Sequence, residues 1–77
     1  MKLYNVRCIL VREDENSKVF VPVGIVVFSE SKDAACGIVV NGIAEKMNGK
    51  KYTIGPIACE DITDYILRYF SDKEVTG

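Results

Sequence analysis

The sequence predicts an α+β fold: a two-layer sandwich of order β-β-α-β-α, in which an antiparallel hairpin and a third strand are covered by two helices. Apolar and polar residues alternate along the start of the chain, as in half-buried strands. Later segments repeat apolar residues every three to four positions, as in amphipathic helices. With 77 residues the chain holds one domain. We expect this domain to span residues 1–70, with residues 71–77 as a frayed tail.

The first two strands are predicted to form a hairpin. Residues 2–12 alternate, residues 19–28 are rich in β-branched and aromatic side chains, and a short polar run connects them. Pairing Arg12 with Val19 makes one face wholly apolar, and this face is the predicted core. It comprises Tyr4, Val6, Cys8, Leu10, Val21, Val23, Ile25 and Val27. Pro22 cannot donate a ladder hydrogen bond, which predicts an edge position or a kink.

The opposite face of the hairpin is also largely apolar. It carries Leu3, Ile9, Val11, Phe20, Val26 and Phe28. Two helices on one side of the sheet would leave this face uncovered, as an apolar patch larger than a monomer normally exposes. Either the second helix crosses to cover it, or another chain does. We favour another chain, and we predict a partner interface formed by these six residues and Ile38.

The first helix is predicted to follow the segment SESKDAA at residues 29–35, which supplies a serine N-cap and an acidic residue in the first turn. Its apolar side comprises Cys36, Val39, Val40, Ile43 and Met47, and Asn48-Gly49 provides a stop. Ile38 lies off this side, which makes it a candidate surface contact.

Two glycines weaken the helix prediction. Asn41-Gly42 between apolar residues is a strong hairpin signal, so a hairpin over residues 36–48 remains the alternative. If the segment is helical, we expect Gly37 and Gly42 to allow a close approach to the sheet or to mark a bend.

The last third of the chain predicts a strand and a helix. Residues 51–58 form the third strand, interrupted near Gly55-Pro56, and residues 60–70 form the second helix. Glu60, Asp61 and Asp64 then fall in the first helical turn, where carboxylates favour the helix dipole. Which face of the sheet this helix covers is left open.

The composition excludes most catalytic chemistry. There is no histidine and no CxxC pair, so neither a Ser-His nor a Cys-His arrangement is possible. The sequence therefore predicts no catalytic residue, no cofactor and no metal site, and a protein that is not an enzyme. Cys8 and Cys36 fit small buried hydrophobes. Cys59 lies beside a predicted helix N-terminus, where the dipole would lower its pKa.

Charge favours a protein partner. Ten basic and eleven acidic residues give a net charge of −1, which argues against nucleic acid as the partner. The acidic run Glu13, Asp14 and Glu15 is most simply a solvated turn. A lesser alternative is single-stranded nucleic acid bound by a strand surface. That surface would comprise Arg7, Arg12, Lys18, Lys46, Lys50, Lys51 and Tyr52.

No apolar segment is long enough for a membrane span, and no signal-peptide pattern is present, so we expect a cytoplasmic protein without a membrane partner. In size, charge and the hairpin followed by SESKDAA and a helix, the first half of the chain resembles small inhibitors and accessory proteins of bacteriophages and mobile elements, including anti-CRISPR proteins. The resemblance carries over no functional residues. It implies a protein that binds and occludes a larger one.

The sequence thus predicts a small non-enzymatic protein–protein interaction module. The resemblance implies that it is an inhibitor that occludes a larger protein. The alternatives are a homo-oligomeric structural or regulatory subunit, expected as a homodimer, and the single-stranded nucleic-acid binder.

Overall fold

The computed structural model describes residues 1–76, with side chains described for residues 1–69. Its elements are β1 (Lys2–Asp14), β2 (Ser17–Ser29), α1 (Lys32–Lys46), β3 (Tyr52–Ile54), β4 (Ala58–Asp61) and α2 (Thr63–Thr76). The sheet order is β2-β1-β3, and β4 also pairs with β1. All of these pairings are antiparallel, so the predicted α+β class is confirmed.

The predicted hairpin register is confirmed. Arg12 lies opposite Val19, and the same register runs from Lys2 opposite Ser29 to Asp14 opposite Ser17. Both strands extend further into the polar run than expected, so only Glu15 and Asn16 form the turn. Pro22 lies in β2 at the edge of the sheet, one of the two positions that its missing N–H predicts.

The third strand differs from its prediction. Residues 55–57 divide it into β3 and β4, and both pieces pair with β1. The backbone N–H of Gly55 donates to the Ile9 carbonyl oxygen at 2.8 Å, which holds this break against β1. Glu60 and Asp61 lie in β4 and not in the first turn of α2, so their predicted helical position is wrong. The pairing of β4 with β1 outweighs the low strand propensity of acidic residues.

Residues 36–46 are helical, so the hairpin alternative is wrong. Ser31 caps α1 by accepting a hydrogen bond from the backbone N–H of Ala34 at 3.1 Å, and Asp33 lies in the first turn. A Cβ atom at Gly37 or Gly42 would meet no atom within 4 Å. Neither glycine therefore serves a close approach to the sheet.

The core lies between α1 and one face of the hairpin. The sheet contributes Tyr4, Val6, Cys8 and Val27, and the helix contributes Ala35, Val39, Ile43 and Met47. The helical residues are four positions apart, which places them in one row. Two members of the predicted core, Val21 and Ile25, are exposed; both lie on β2, the edge strand of the sheet.

The start of helix α2 is hydrogen-bonded to the start of β1. The N–H of Ile62 donates to the Leu3 carbonyl at 2.9 Å, and the Leu3 N–H donates to Thr63 Oγ1 at 2.9 Å. Helix α2 ends at Thr76, past the expected domain boundary at residue 70.

The molecule is elongated, measuring 54 × 24 × 18 Å. Its radius of gyration of 15.7 Å compares with about 11.5 Å for a compact chain of this length.

Candidate protein-binding face

Six of the seven predicted interface residues lie together on the side of the hairpin that faces away from α1, which we call the outer face. It comprises Leu3, Ile9, Val11, Phe20, Val26 and Phe28. Leu3 lies opposite Phe28 and Val11 lies opposite Phe20, so apolar pairs occupy both ends of the face. Phe20 and Phe28 are eight residues apart in an extended strand, which separates them by about 27 Å.

The outer face is uncovered. Phe20 is 65% exposed, Phe28 59%, Val26 57% and Ile9 41%. Leu3 and Val11 are half-buried, because β1 is the central strand and has neighbours on both sides. Helix α2 contacts β1 but leaves both phenylalanines exposed.

Ile38 does not join this surface. It is exposed on α1, which packs on the opposite side of the sheet, and it lines an apolar groove of about 480 Å³ between α1 and the hairpin. Leu10, Val23, Ile25 and Gly42 also line this groove, with Lys46 at its side. The structure thus divides the seven predicted residues between two surfaces.

Arg7 lies near the middle of the outer face, although it is not among the predicted interface residues. It is opposite Gly24, and a Cβ atom at Gly24 would lie 4.0 Å from Arg7 Cγ. A shallow depression of about 440 Å³ forms there, bordered by Arg7, Ile9, Pro22, Gly24, Pro56 and Ala58. The signal in the sequence is Pro22 and Gly24, which leave little side chain beside Arg7.

Arg7 is also free to bind a partner. The ion pairs among residues 1–69 join Lys2 to Asp61 at 3.5 Å and Arg12 to Asp14 at 3.4 Å. Arg7 takes part in neither. The outer face therefore combines exposed apolar side chains with an arginine that forms no ion pair within residues 1–69.

Two of the three cysteines meet across the α1–β4 contact. Cys36 of α1 and Cys59 of β4 are neighbours, and both residues are half-buried against the core. Burial raises the pKa of Cys59, and the Cys36 thiol raises it further. The lowered pKa expected for Cys59 is therefore wrong, because the residue lies in β4 and α2 begins only at Thr63.

The acidic residues have structural partners. Asp61 Oδ1 accepts hydrogen bonds from the Thr63 hydroxyl at 2.7 Å and the Thr63 N–H at 3.0 Å. These bonds, with Lys2 beside the carboxylate, hold the pKa of Asp61 below its ordinary value of 3.8. Within the part of the chain whose side chains are described, no three Cys, Asp or Glu residues form a possible metal site.

The residues expected to bind single-stranded nucleic acid do not form a stacking platform. β3 neighbours β1 as that hypothesis requires, and Lys50 and Lys51 are exposed. Tyr52, however, is half-buried and packs against the core. Its ring is not displayed for base stacking.

Comparison with known protein families, with curated proteins and with solved structures gives no match to this chain. Neither helix within residues 1–76 has the length and apolarity needed to span a membrane. The outer face is therefore interpreted from its own chemistry.

Proposed function

We propose that this protein is a non-enzymatic protein-binding module that attaches through its outer face to a larger protein and occludes part of that protein's surface. One observation carries the proposal: large apolar side chains lie exposed along one sheet face, around an arginine that forms no ion pair with the side chains of residues 1–69. Exposed apolar patches of this kind mark protein–protein contact sites. The proposal places the protein in the cytoplasm, where its three free thiols would stay reduced.

The outer face has the composition of a binding interface. Aromatic residues and arginine dominate interface hot spots, and here Phe20 and Phe28 lie toward the two ends with Arg7 between them. The depression beside Arg7 can receive a side chain from the partner. This arrangement favours a partner surface that is mainly apolar and carries a carboxylate positioned to pair with the guanidinium.

Substitutions on the outer face test this proposal. The wild-type protein is used to capture its partner from native lysate, and the purified partner is then titrated against variants by calorimetry. We expect Phe20→Ser to weaken binding about 30-fold, as loss of an aromatic hot spot of about 2 kcal/mol implies. Arg7→Glu should weaken it at least as much, because it brings like charges together.

The matched control is Ile38→Ser. Ile38 is 52% exposed but lies on α1, on the opposite side of the sheet from the outer face, so this change should leave affinity unaltered. Circular dichroism should show the same fold for all variants. Equal affinity of wild type, Phe20→Ser and Arg7→Glu would contradict the proposal.

A homo-oligomeric subunit is the second candidate function, and a separate observation favours it: within residues 1–76, no strand pairs with the outer side of β2.

A further inference from the structure

Strand β2 forms a long edge of the sheet, and no strand among the described residues pairs with its outer side. Unpaired edges attract further strands, and proteins usually protect them with charges, prolines or covering segments. β2 carries only one charged residue, Lys18, and one proline, Pro22. The edge is therefore poorly protected over most of its length.

Hydrogen bonds elsewhere in the sheet reveal which backbone groups lie along this edge. The carbonyls of Leu3 and Ile9 accept from Ile62 and Gly55, so these residues of β1 direct their backbone groups away from β2. Alternate residues of β1 direct their backbone groups the same way. In an antiparallel pair, the residues opposite them on β2 direct their N–H and C=O groups toward the free side of β2. On β2 these are Phe20, Pro22, Gly24, Val26 and Phe28. Pro22 has no N–H, so the row of free donors and acceptors is unbroken only from Gly24 to Phe28.

We propose that residues 24–28 of two copies of this chain pair as antiparallel strands around a two-fold axis at Val26, joining two sheets into one. This contact uses the backbone of the edge and leaves the outer face open. It does not depend on attachment to a larger protein, and it rests on the second candidate function, for which it names the partner and the register.

The register follows from Pro22 and Gly24. A two-fold axis at Gly24 or Ile25 would place Pro22 opposite Val26 or Phe28 of the second copy, and each symmetric contact would lack a donor. An axis at Val26 keeps Pro22 outside the residues 24–28 ladder. It also places Phe28 opposite Gly24 of the second copy, where the aromatic ring covers the glycine.

The exposed area of the chain leaves room for an interface, and the lack of charge along the edge favours a second copy as its occupant. The chain exposes 5901 Å², whereas a folded monomer of its mass exposes about 4,700 Å². The excess, about 1,200 Å², exceeds the roughly 800 Å² that each partner buries in a stable interface. Residues 19–29 also carry no charge, so antiparallel self-pairing brings no like charges together.

Such a dimer would also enlarge the outer face. The two-fold axis runs perpendicular to the sheet, so the outer faces of both copies lie on the same side and the two Val26 side chains become neighbours. One apolar surface then extends across both chains.

Sedimentation equilibrium of the wild type and two Val26 variants tests the proposal. We expect the wild type to be a dimer at tens of micromolar. Val26→Lys should raise the dimer dissociation constant by about 100-fold or more, because two ammonium groups meet at the axis. Val26→Thr keeps the shape and the backbone donor and should remain a dimer. A monomeric wild type, or a Val26→Lys variant that dimerises normally, would overturn the proposal.

Cysteine scanning tests the register in a Cys36→Ser, Cys59→Ser background. At the axis the two Cα atoms of Val26→Cys lie about 5.5 Å apart, within disulfide range. Glutathione disulfide should therefore join two chains through this residue, releasing two glutathione thiols. Gly24→Cys is the matched control, because its two copies lie about 14 Å apart in this register. Cross-linking through Gly24→Cys in preference to Val26→Cys would overturn the proposed register.

The two proposals fail separately. Phe20 lies six residues from the axis, outside the paired residues 24–28, and its side chain is on the outer face. Phe20→Ser should leave the dimer intact while weakening attachment to the larger protein.

Discussion

Replacing the two interior glycines of α1 by alanine should stabilise the protein. A Cβ atom at Gly37 or Gly42 would meet nothing within 4 Å, so the added methyl group causes no clash. Alanine is more favourable than glycine in a helix interior by about 0.8–1 kcal/mol. The double variant Gly37→Ala, Gly42→Ala should therefore gain about 2 kcal/mol.

The gain converts to a measurable change in melting temperature. An unfolding entropy of about 2.1 cal/mol/K per residue gives roughly 160 cal/mol/K for this chain, so 1 kcal/mol corresponds to about 6 °C. We expect each single variant to melt about 5–6 °C higher and the double variant about 12 °C higher. The assay is thermal unfolding followed by circular dichroism, at one fixed chain concentration because association would also change the midpoint.

The opposite sign would refute the reasoning. If Asn41-Gly42 formed a hairpin turn, Gly42 would adopt a positive φ and alanine there would be destabilising. A lower melting temperature for Gly42→Ala would therefore contradict the helix. Gly49 is the internal control: its φ is 76°, so Gly49→Ala should cost about 1 kcal/mol and lower the midpoint by about 6 °C.

Three further predictions concern the core, the start of α2 and the cysteine pair. Val6 is fully buried, so Val6→Ala should cost about 2–3 kcal/mol, measured by urea unfolding. The pKa of Asp61 is lowered in the folded state, so its ionised form stabilises the protein above pH 3.8 and this contribution is lost as the pH falls further. Asp61→Asn should be less stable than the wild type at neutral pH, with the difference narrowing in acid. Glutathione disulfide should convert the Cys36 and Cys59 thiols into one disulfide, releasing two glutathione thiols, and the closed loop should add about 3 kcal/mol.

Each of these predictions has a contradicting outcome. An unchanged urea midpoint for Val6→Ala would contradict the assignment of the core. A constant difference between the wild type and Asp61→Asn from pH 7 to pH 2 would contradict the shifted pKa. Cys59→Ser should prevent the intramolecular disulfide; a product that instead contains Cys8 would contradict the pairing, because Cys8 is buried.

The hairpin could be predicted in detail because its signals are local. Alternation fixes which residues share a face, and pairing Arg12 with Val19 makes one face entirely apolar, so a shift by one residue would expose that set. The same alternation placed the exposed residues of the outer face together. The N-cap at Ser31 was predictable for the same reason, since a capping hydroxyl acts on a backbone group three residues away.

The features that escaped prediction depend on contacts between distant parts of the chain. β4 contains Glu60 and Asp61, which have low strand propensity, and it is a strand only because β1 offers an unpaired side to it. The Cys36–Cys59 contact joins a helix to that same strand. The depression beside Arg7 escaped prediction because Pro56 and Ala58, from the segment that pairs with the other side of β1, form part of its border. Ile38 is exposed as predicted, but the sequence does not show that its helix packs on the side of the sheet opposite the outer face.

The interruption at residues 55–57 makes the two edges of the sheet unequal in length. On one side stands a continuous strand of 13 residues, and on the other stand pieces of three and four residues separated by a proline-containing gap. Among the described strands, β2 therefore provides the one continuous edge along which a further strand can pair. In the proposed dimer the β2 edges of both copies are paired with each other, so we expect association to stop at a closed pair and not to proceed to a fibre.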